Sequence, residues 1–352
     1  MRKTGPTFSR YAPAMRRLWL LAALGGLWTG TACAQETARQ FYQGKQVRFT
    51  TMGSPGGGYD AYMRTLGAHL IRRLGARLIP INESGAGGLI AMSRAQIAQP
   101  DGLSVVLIGG EAVAAAQLFG EPGVNFDVTK QVWLARVSAE SKVVLIGPKS
   151  PYATLADMIK SERPLIWAGS GKTDGNTDFS ALLAAATGMK ARLVIGYKGT
   201  GGMMLAMENG EVDGRVVSDE SAALIGPSSG MRVMAILARK RSAQFPNAPT
   251  IFEAAKLSVE NEQMLDWRAD LASLGRLLLV TPGTPQYRVD LLRAEFAEIL
   301  TDTAVLAEFK KLGLSVSYAP GEAVQGMMTK VMTALDAKGL AEVKDITLNR
   351  YY

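Results

Sequence analysis

The chain is 352 residues long and carries a formal charge of +8, with one cysteine, Cys33, and one histidine, His69. A single cysteine excludes a disulfide framework and a Cys-based zinc site, and a lone histidine is too little for a His-based metal site or a Ser-His-Asp triad. Five cations (Arg2, Lys3, Arg10, Arg16, Arg17) fall in the first 34 residues beside no acid, so without them +8 becomes +3 and the basic balance is poor evidence for a nucleic-acid partner.

Residues 1–34 read as an export signal. Basic positions precede the apolar run Leu18–Leu27, and Ala32-Cys33-Ala34 fits the small-x-small rule for cleavage before Gln35. The run is too short for the roughly 20 residues of a membrane span. A lipid anchor at Cys33 is the alternative, although Gly30 stands where such a site favours leucine. Either way the mature chain is expected in the periplasm.

Beyond the signal, short apolar runs alternate with helix-periodic segments. A β-rich run at 47–52 leads through Ser54-Pro55-Gly56-Gly57-Gly58 into a helix whose Met63, Leu66, Leu70 and Leu74 recur at spacings of three and four. His69 lies within that helix as an ordinary surface or packing residue. Strands are predicted at 77–81, 104–108, 132–137, 143–146, 165–168, 192–195, 214–217, 233–237 and 276–280. Helices are predicted at 89–98, 155–160, 177–187, 202–209, 248–255, 286–300, 303–312 and 322–337. Such alternation implies α/β architecture with parallel sheets, and the length suits two lobes. The expected division puts residues 35–140 with about 240–352 in lobe 1 and 141–239 in lobe 2. The apolar strands near 133–146, 233–237 and 277–280 then cross between lobes, and a small ligand sits in the cleft at the strands' carboxyl ends.

Glycine-rich turns carry the chemistry. A turn such as Gly56–Gly58 lets backbone N–H groups at a helix N-terminus face an anion with no side chain intervening. Similar turns recur at Ser84–Gly88, Ser170–Asn176 and Tyr197–Gly202. They do not spell a nucleotide signature. The GSGKT run at 169–173 has Ile166 where a P-loop needs glycine, and Gly169-x-Gly171 meets Asp174 where a dinucleotide fingerprint needs its third glycine. Glu111, Asp213, Asp219 and Glu220 follow or adjoin predicted strands, yet no spacing pairs them for acid/base catalysis. Several anion-cradling turns without catalytic machinery point to capture of a small acid, with no cofactor and no metal.

In order along the chain stand FYQGKQVRFTTMGSPGGGYD, NESGAGG, PDGLSVVLIG, WAGSGKTDGN, GYKGTGGMMLAMENGEVDG, RKRSAQFPNAPTIFEA and LLLVTPGTP. This series resembles the Bug extracytoplasmic solute receptors, the substrate-binding proteins of tripartite tricarboxylate transporters, from about Phe41 to Ala337. The resemblance implies a two-lobed periplasmic-binding-protein fold, type II-like, that closes on its ligand and docks on membrane permease subunits. It places a carboxylate against Gly56, Gly57, Gly58, Tyr59 and Asp60 in the first lobe and Ser170, Gly171 and Asn176 in the second. Gly87 and Gly88 in a further glycine turn, with Glu111 and Tyr197, are counted among the expected ligand contacts. Lys198, beside Tyr197, would attract the ligand's anionic group from the rim, and Asp219 is either a ligand contact or a hinge-side residue. Asp60 either orders the site or caps the first helix.

Two departures from the family pattern bear on specificity. Gly109-Gly110-Glu111 replaces small hydroxyl residues after the third strand, and the KTDGNTD turn, with Asp174 and Asp178, replaces a Ser-rich turn ending in His. If Glu111 or Asp174 faces the cleft, the added charge disfavours a plain dicarboxylate and favours an amino acid or amide. The leading expectation is a non-enzymatic solute receptor. A ligand sensor for a membrane signalling protein, or a periplasmic enzyme using Asp60 or Glu111 as base, are the competing readings.

Overall fold

The computed structural model describes Met1 and residues 38–172, 174–197 and 199–352. The signal segment with Cys33, and Lys198, lie outside the described residues. In the first half, β1 (Gln46–Thr51), α1 (Gly58–Leu74), β2 (Arg77–Asn82), α2 (Leu89–Ile97), β3 (Ser104–Gly109), α3 (Gly110–Phe119) and β4 (Val132–Ser138) follow one another. Next come β5 (Lys142–Ile146), α4 (Leu155–Ile159), β6 (Leu165–Ala168), α5 (Gly175–Thr187), β7 (Ala191–Val194), α6 (Thr200–Asn209), β8 (Gly214–Ser218), α7 (Asp219–Ser229) and β9 (Arg232–Ile236). The chain continues through α8 (Ile251–Ala254), α9 (Val259–Ser273), β10 (Arg276–Val280), α10 (Gln286–Thr301), α11 (Thr303–Lys311), β11 (Ala319–Pro320), α12 (Gly321–Thr333) and α13 (Ala337–Asp345) to a π-helical turn at Ile346–Arg350.

The strands form two sheets, one per lobe, in the orders β11-β4-β10-β3-β1-β2 and β7-β6-β8-β5-β9. All ten strands read from the sequence are present. The expectation of purely parallel sheets is corrected: both are mixed. β1 pairs in parallel with β2 and β3, but β10 is antiparallel to β3 and β4, and β5 is antiparallel to β8 and β9. The antiparallel partners are the strands that flank crossings between lobes. Such a strand enters its sheet from the other lobe rather than through a right-handed βαβ crossover, so parallel direction is not imposed on it.

The stripe predicted on α1 is buried at Met63, Leu66, Leu70 and Leu74, and Gly75 ends the helix with φ 63°. Behind it, Phe49 meets Phe296 edge-on at 6.2 Å. Each such fully buried side chain contributes about 1.5–3 kcal/mol. His69 joins this side of lobe 1 through Nε2, 2.8 Å from Glu308 of α11. A second cluster does not stop at the lobe boundary: it runs from Val106 and Ile108 through Leu271 and Leu274 to Val144 and Trp167. The bridge is α9, which packs on α3, α5 and α12. Residues 346–352 also reach lobe 2, where Leu193 N–H donates to the Tyr351 carbonyl at 2.8 Å. Among the described residues, no helix is long and apolar enough to cross a membrane.

Candidate ligand cleft

A cavity of about 640 Å³ opens between the lobes. Lobe 1 contributes Tyr59 from the start of α1, Ala86 and Gly87 from the turn after β2, and Glu111 from the first turn of α3. Lobe 2 contributes Asp174, Gly175, Asn176 and Asp178, and the crossing segment supplies Glu140 and Lys142.

The turn between β1 and α1 is tied down from beneath. Asp60, buried, accepts from Gly56 N–H at 2.9 Å, from Arg64 Nε at 2.9 Å and from Asn82 Nδ2 at 3.0 Å. Arg64 foremost holds its carboxyl below the usual range, against the opposing pull of burial. Gly56 takes φ 77°, whereas Gly57 is extended at φ −81°. From this turn only Tyr59 reaches the cavity wall; Gly56, Gly57, Gly58 and Asp60 do not. Burial, with Arg276 opposing, pushes the Tyr59 hydroxyl up to about 12, so it remains a donor. The next turn runs through four consecutive left-handed positions, Gly85 to Gly88, and Ala86 is the only non-glycine with positive φ among the described residues. Gly87 faces the cavity, while Gly88 lies against Ile108 and Met52.

In lobe 2, Asp174 caps α5. It accepts from Asn176 N–H at 3.3 Å, Ser170 Oγ at 2.7 Å and Thr177 Oγ1 at 3.1 Å. Asn176 lines the cavity, and its Oδ1 is buried without a protein partner. Ser170 and Gly171 are not in the wall. Neither is Tyr197, whose ring packs on the lobe 2 core and whose N–H donates to Gly169 O at 3.4 Å. Asp219 stands apart at the crossing: its carboxylate accepts from Ser242 Oγ at 2.6 Å and its N–H donates to Ser141 O at 2.9 Å.

The floor of the cleft is ionic. Arg268, on α9, is completely buried and donates from Nη2 to Glu111 Oε1 at 2.6 Å, to Asp178 Oδ1 at 2.7 Å and to the Gly175 carbonyl. Lys142 Nζ lies 3.4 Å from both Glu111 Oε2 and Glu140 Oε2, and Arg276 Nη1 lies 2.8 Å from Glu140 Oε1. Burial pushes the Glu111 carboxyl up, but Lys142 and Arg268 outweigh it and hold the group at about 2. Asp178 goes the other way: burial, reinforced by Glu111 and only partly opposed by Arg268, pushes it up to about 6. Three cations thus face three carboxylates across the lobe boundary.

Sequence reasoning missed Arg268, Glu140 and Lys142. A faint signal exists for Lys142, a charge opening the otherwise apolar run KVVLI. Arg268 had none, because α9 touches several elements and shows no single apolar stripe.

Residues 62–316 match the family model described as tripartite tricarboxylate transporter family receptor. The chain belongs to this family. A UPF0065 protein of Bordetella bronchiseptica is 26% identical over 338 residues, 93% of this chain and 92% of its own. Three solved structures show the same fold. A TctC solute binding protein from Polaromonas superposes with TM-score 0.69 at 21% identity, covering 87% of this chain and 98% of its own. MatC from Rhodopseudomonas palustris, with bound malate, gives 0.62 at 22% identity, covering 83% and 99%. Another protein of that organism, with adipate, gives 0.65 at 19%, covering 86% and 97%. Family membership makes the chain a solute-binding protein of the periplasmic, two-lobed kind.

Proposed function

We propose that this member of the tripartite tricarboxylate receptor family captures a small carboxylate-bearing solute between its lobes and delivers it to the permease subunits of a tripartite transporter. The carrying observation is the 640 Å³ cavity walled by turns from both lobes, Gly87 on one side and Gly175 and Asn176 on the other. A ligand touching both walls binds the closed form better than the open one, which is what lobe closure requires. Malate and adipate in structural neighbours support a carboxylate as the recognised group. In this reading the signal is cleaved after Ala34, the lobes divide near residues 140 and 240, and the protein performs no turnover.

The test is a thermal shift of ligand-stripped mature protein against organic acids, their amides and amino acids. At a hundredfold excess over Kd a true ligand adds about 2.7 kcal/mol and raises the midpoint by several degrees. The reading fails if a well-folded sample responds to none of them, or if the responding acid is consumed on incubation.

A further inference from the structure

We propose that Glu111 determines the specificity of the cleft: it supplies, from within the chain, the carboxylate that a dicarboxylate ligand would bring, so the cleft takes a monocarboxylate whose far end is uncharged or carries a donor. The inference rests on the receptor reading above and concerns the same site.

Glu111 stands between Arg268 and the cavity. Its side chain is 19% exposed and lines the wall, whereas Arg268 behind it is 0% exposed. It also presses across the lobe boundary: a Cβ at residue 175 would lie 2.4 Å from Glu111 Oε1, so any larger residue there would displace the Glu111 carboxylate. The cations of the floor are already matched, Arg268 by Glu111 and Asp178, Lys142 by Glu111 and Glu140, Arg276 by Glu140. Among the described residues, no cation lining the cavity lacks a carboxylate partner. Asp174 and Glu121 add two further negative charges to the wall. A second ligand carboxylate would therefore enter a partly enclosed, carboxylate-rich space with no counter-ion to meet it, and like-charge contact of this kind discriminates strongly. A neutral or amine-bearing end meets acceptors instead, in the carboxylates of Glu111, Glu121 and Asp174.

Adipate and its monoamide have the same length and differ only at one end, so they isolate the second charge. In calorimetric titration, wild type is expected to bind the monoamide on the order of tenfold or more tighter than adipate. Glu111→Ala uncovers Arg268 and should reverse the preference by a similar factor, and adding Arg268→Met should abolish that gain. Glu111→Gln keeps the shape without the charge and serves if the alanine variant is poorly folded; it should also favour adipate relative to wild type. Equal affinity of wild type for the pair, or an unchanged ratio in both Glu111 variants, overturns the inference and leaves the receptor reading intact. No binding of either compound to any variant, together with a silent ligand panel, overturns both.

Discussion

Asp178 shows how burial and charge divide the work between neighbouring carboxyls. It shares Arg268 with Glu111, and a single guanidinium cannot fully compensate two buried acids, so Asp178 is the one pushed up to about 6. The folded state therefore binds a proton there more tightly than the unfolded chain, whose value is near 3.8, and stability rises as pH falls through that interval. Glu111, held at about 2 against 4.5 unfolded, contributes the opposite slope only below about pH 4.5. Between pH 7 and 5 the Asp178 contribution is about 1 kcal/mol. Urea unfolding of wild type and Asp178→Asn at both pH values should show that increment in wild type alone; parallel profiles would contradict it. Asp60 carries the reverse lesson. Its position after three glycines leaves it open between ordering the site and capping the helix, and in the fold its oxygens are taken by Gly56, Arg64 and Asn82. A single sequence does not show which side of a turn a carboxylate faces.

Helix α5 begins at Asp174, an acid that both lines the cavity and caps the helix. Its oxygens serve the helix start, accepting from Asn176 N–H and from the hydroxyls of Ser170 and Thr177. Asp174→Ala should cost about 1–2 kcal/mol in unfolding free energy, as for other lost N-caps, while Asp174→Ser should recover most of it. Equal loss in both variants would mean that the cap is not the source. Element by element, the strands were legible because each is a compact apolar run between turn residues, as at 104–108 and 276–280. Helices α3, α7, α9 and α13 were not. In α3 an alanine-rich stretch follows β3 directly, Gly109 ending the strand and Gly110 opening the helix. In α9 the buried residues Leu265, Trp267, Arg268, Leu271 and Ala272 face several partners, which erases the one-sided period that identifies a surface helix. Of the residues singled out in the sequence, Tyr59, Gly87, Glu111 and Asn176 line the cavity, while Gly56, Gly57, Gly58, Ser170 and Gly171 do not. The ionic floor of the cleft was not legible, since Arg268 lies 157 residues from Glu111 and 90 from Asp178.

Over the whole molecule, one buried cluster joins the two sheets through α9, and Trp267 Nε1 donates to the Val331 carbonyl at 3.1 Å to fix that helix on α12. Two lobes that share a core should unfold together. Calorimetry of the mature protein is expected to give one transition with matching calorimetric and van't Hoff enthalpies, and two resolved peaks would refute the shared core. The sheet order has another consequence. β10, residues 276–280, sits in the middle of the first sheet between β3 and β4, although the whole second sheet is encoded between β4 and β10. When the ribosome has made β1 to β4, those two strands lack the neighbour that joins them, and lobe 1 cannot finish until lobe 2 has been synthesised. The first sheet is therefore closed by a strand that ends at residue 280, after about four-fifths of the chain has been made.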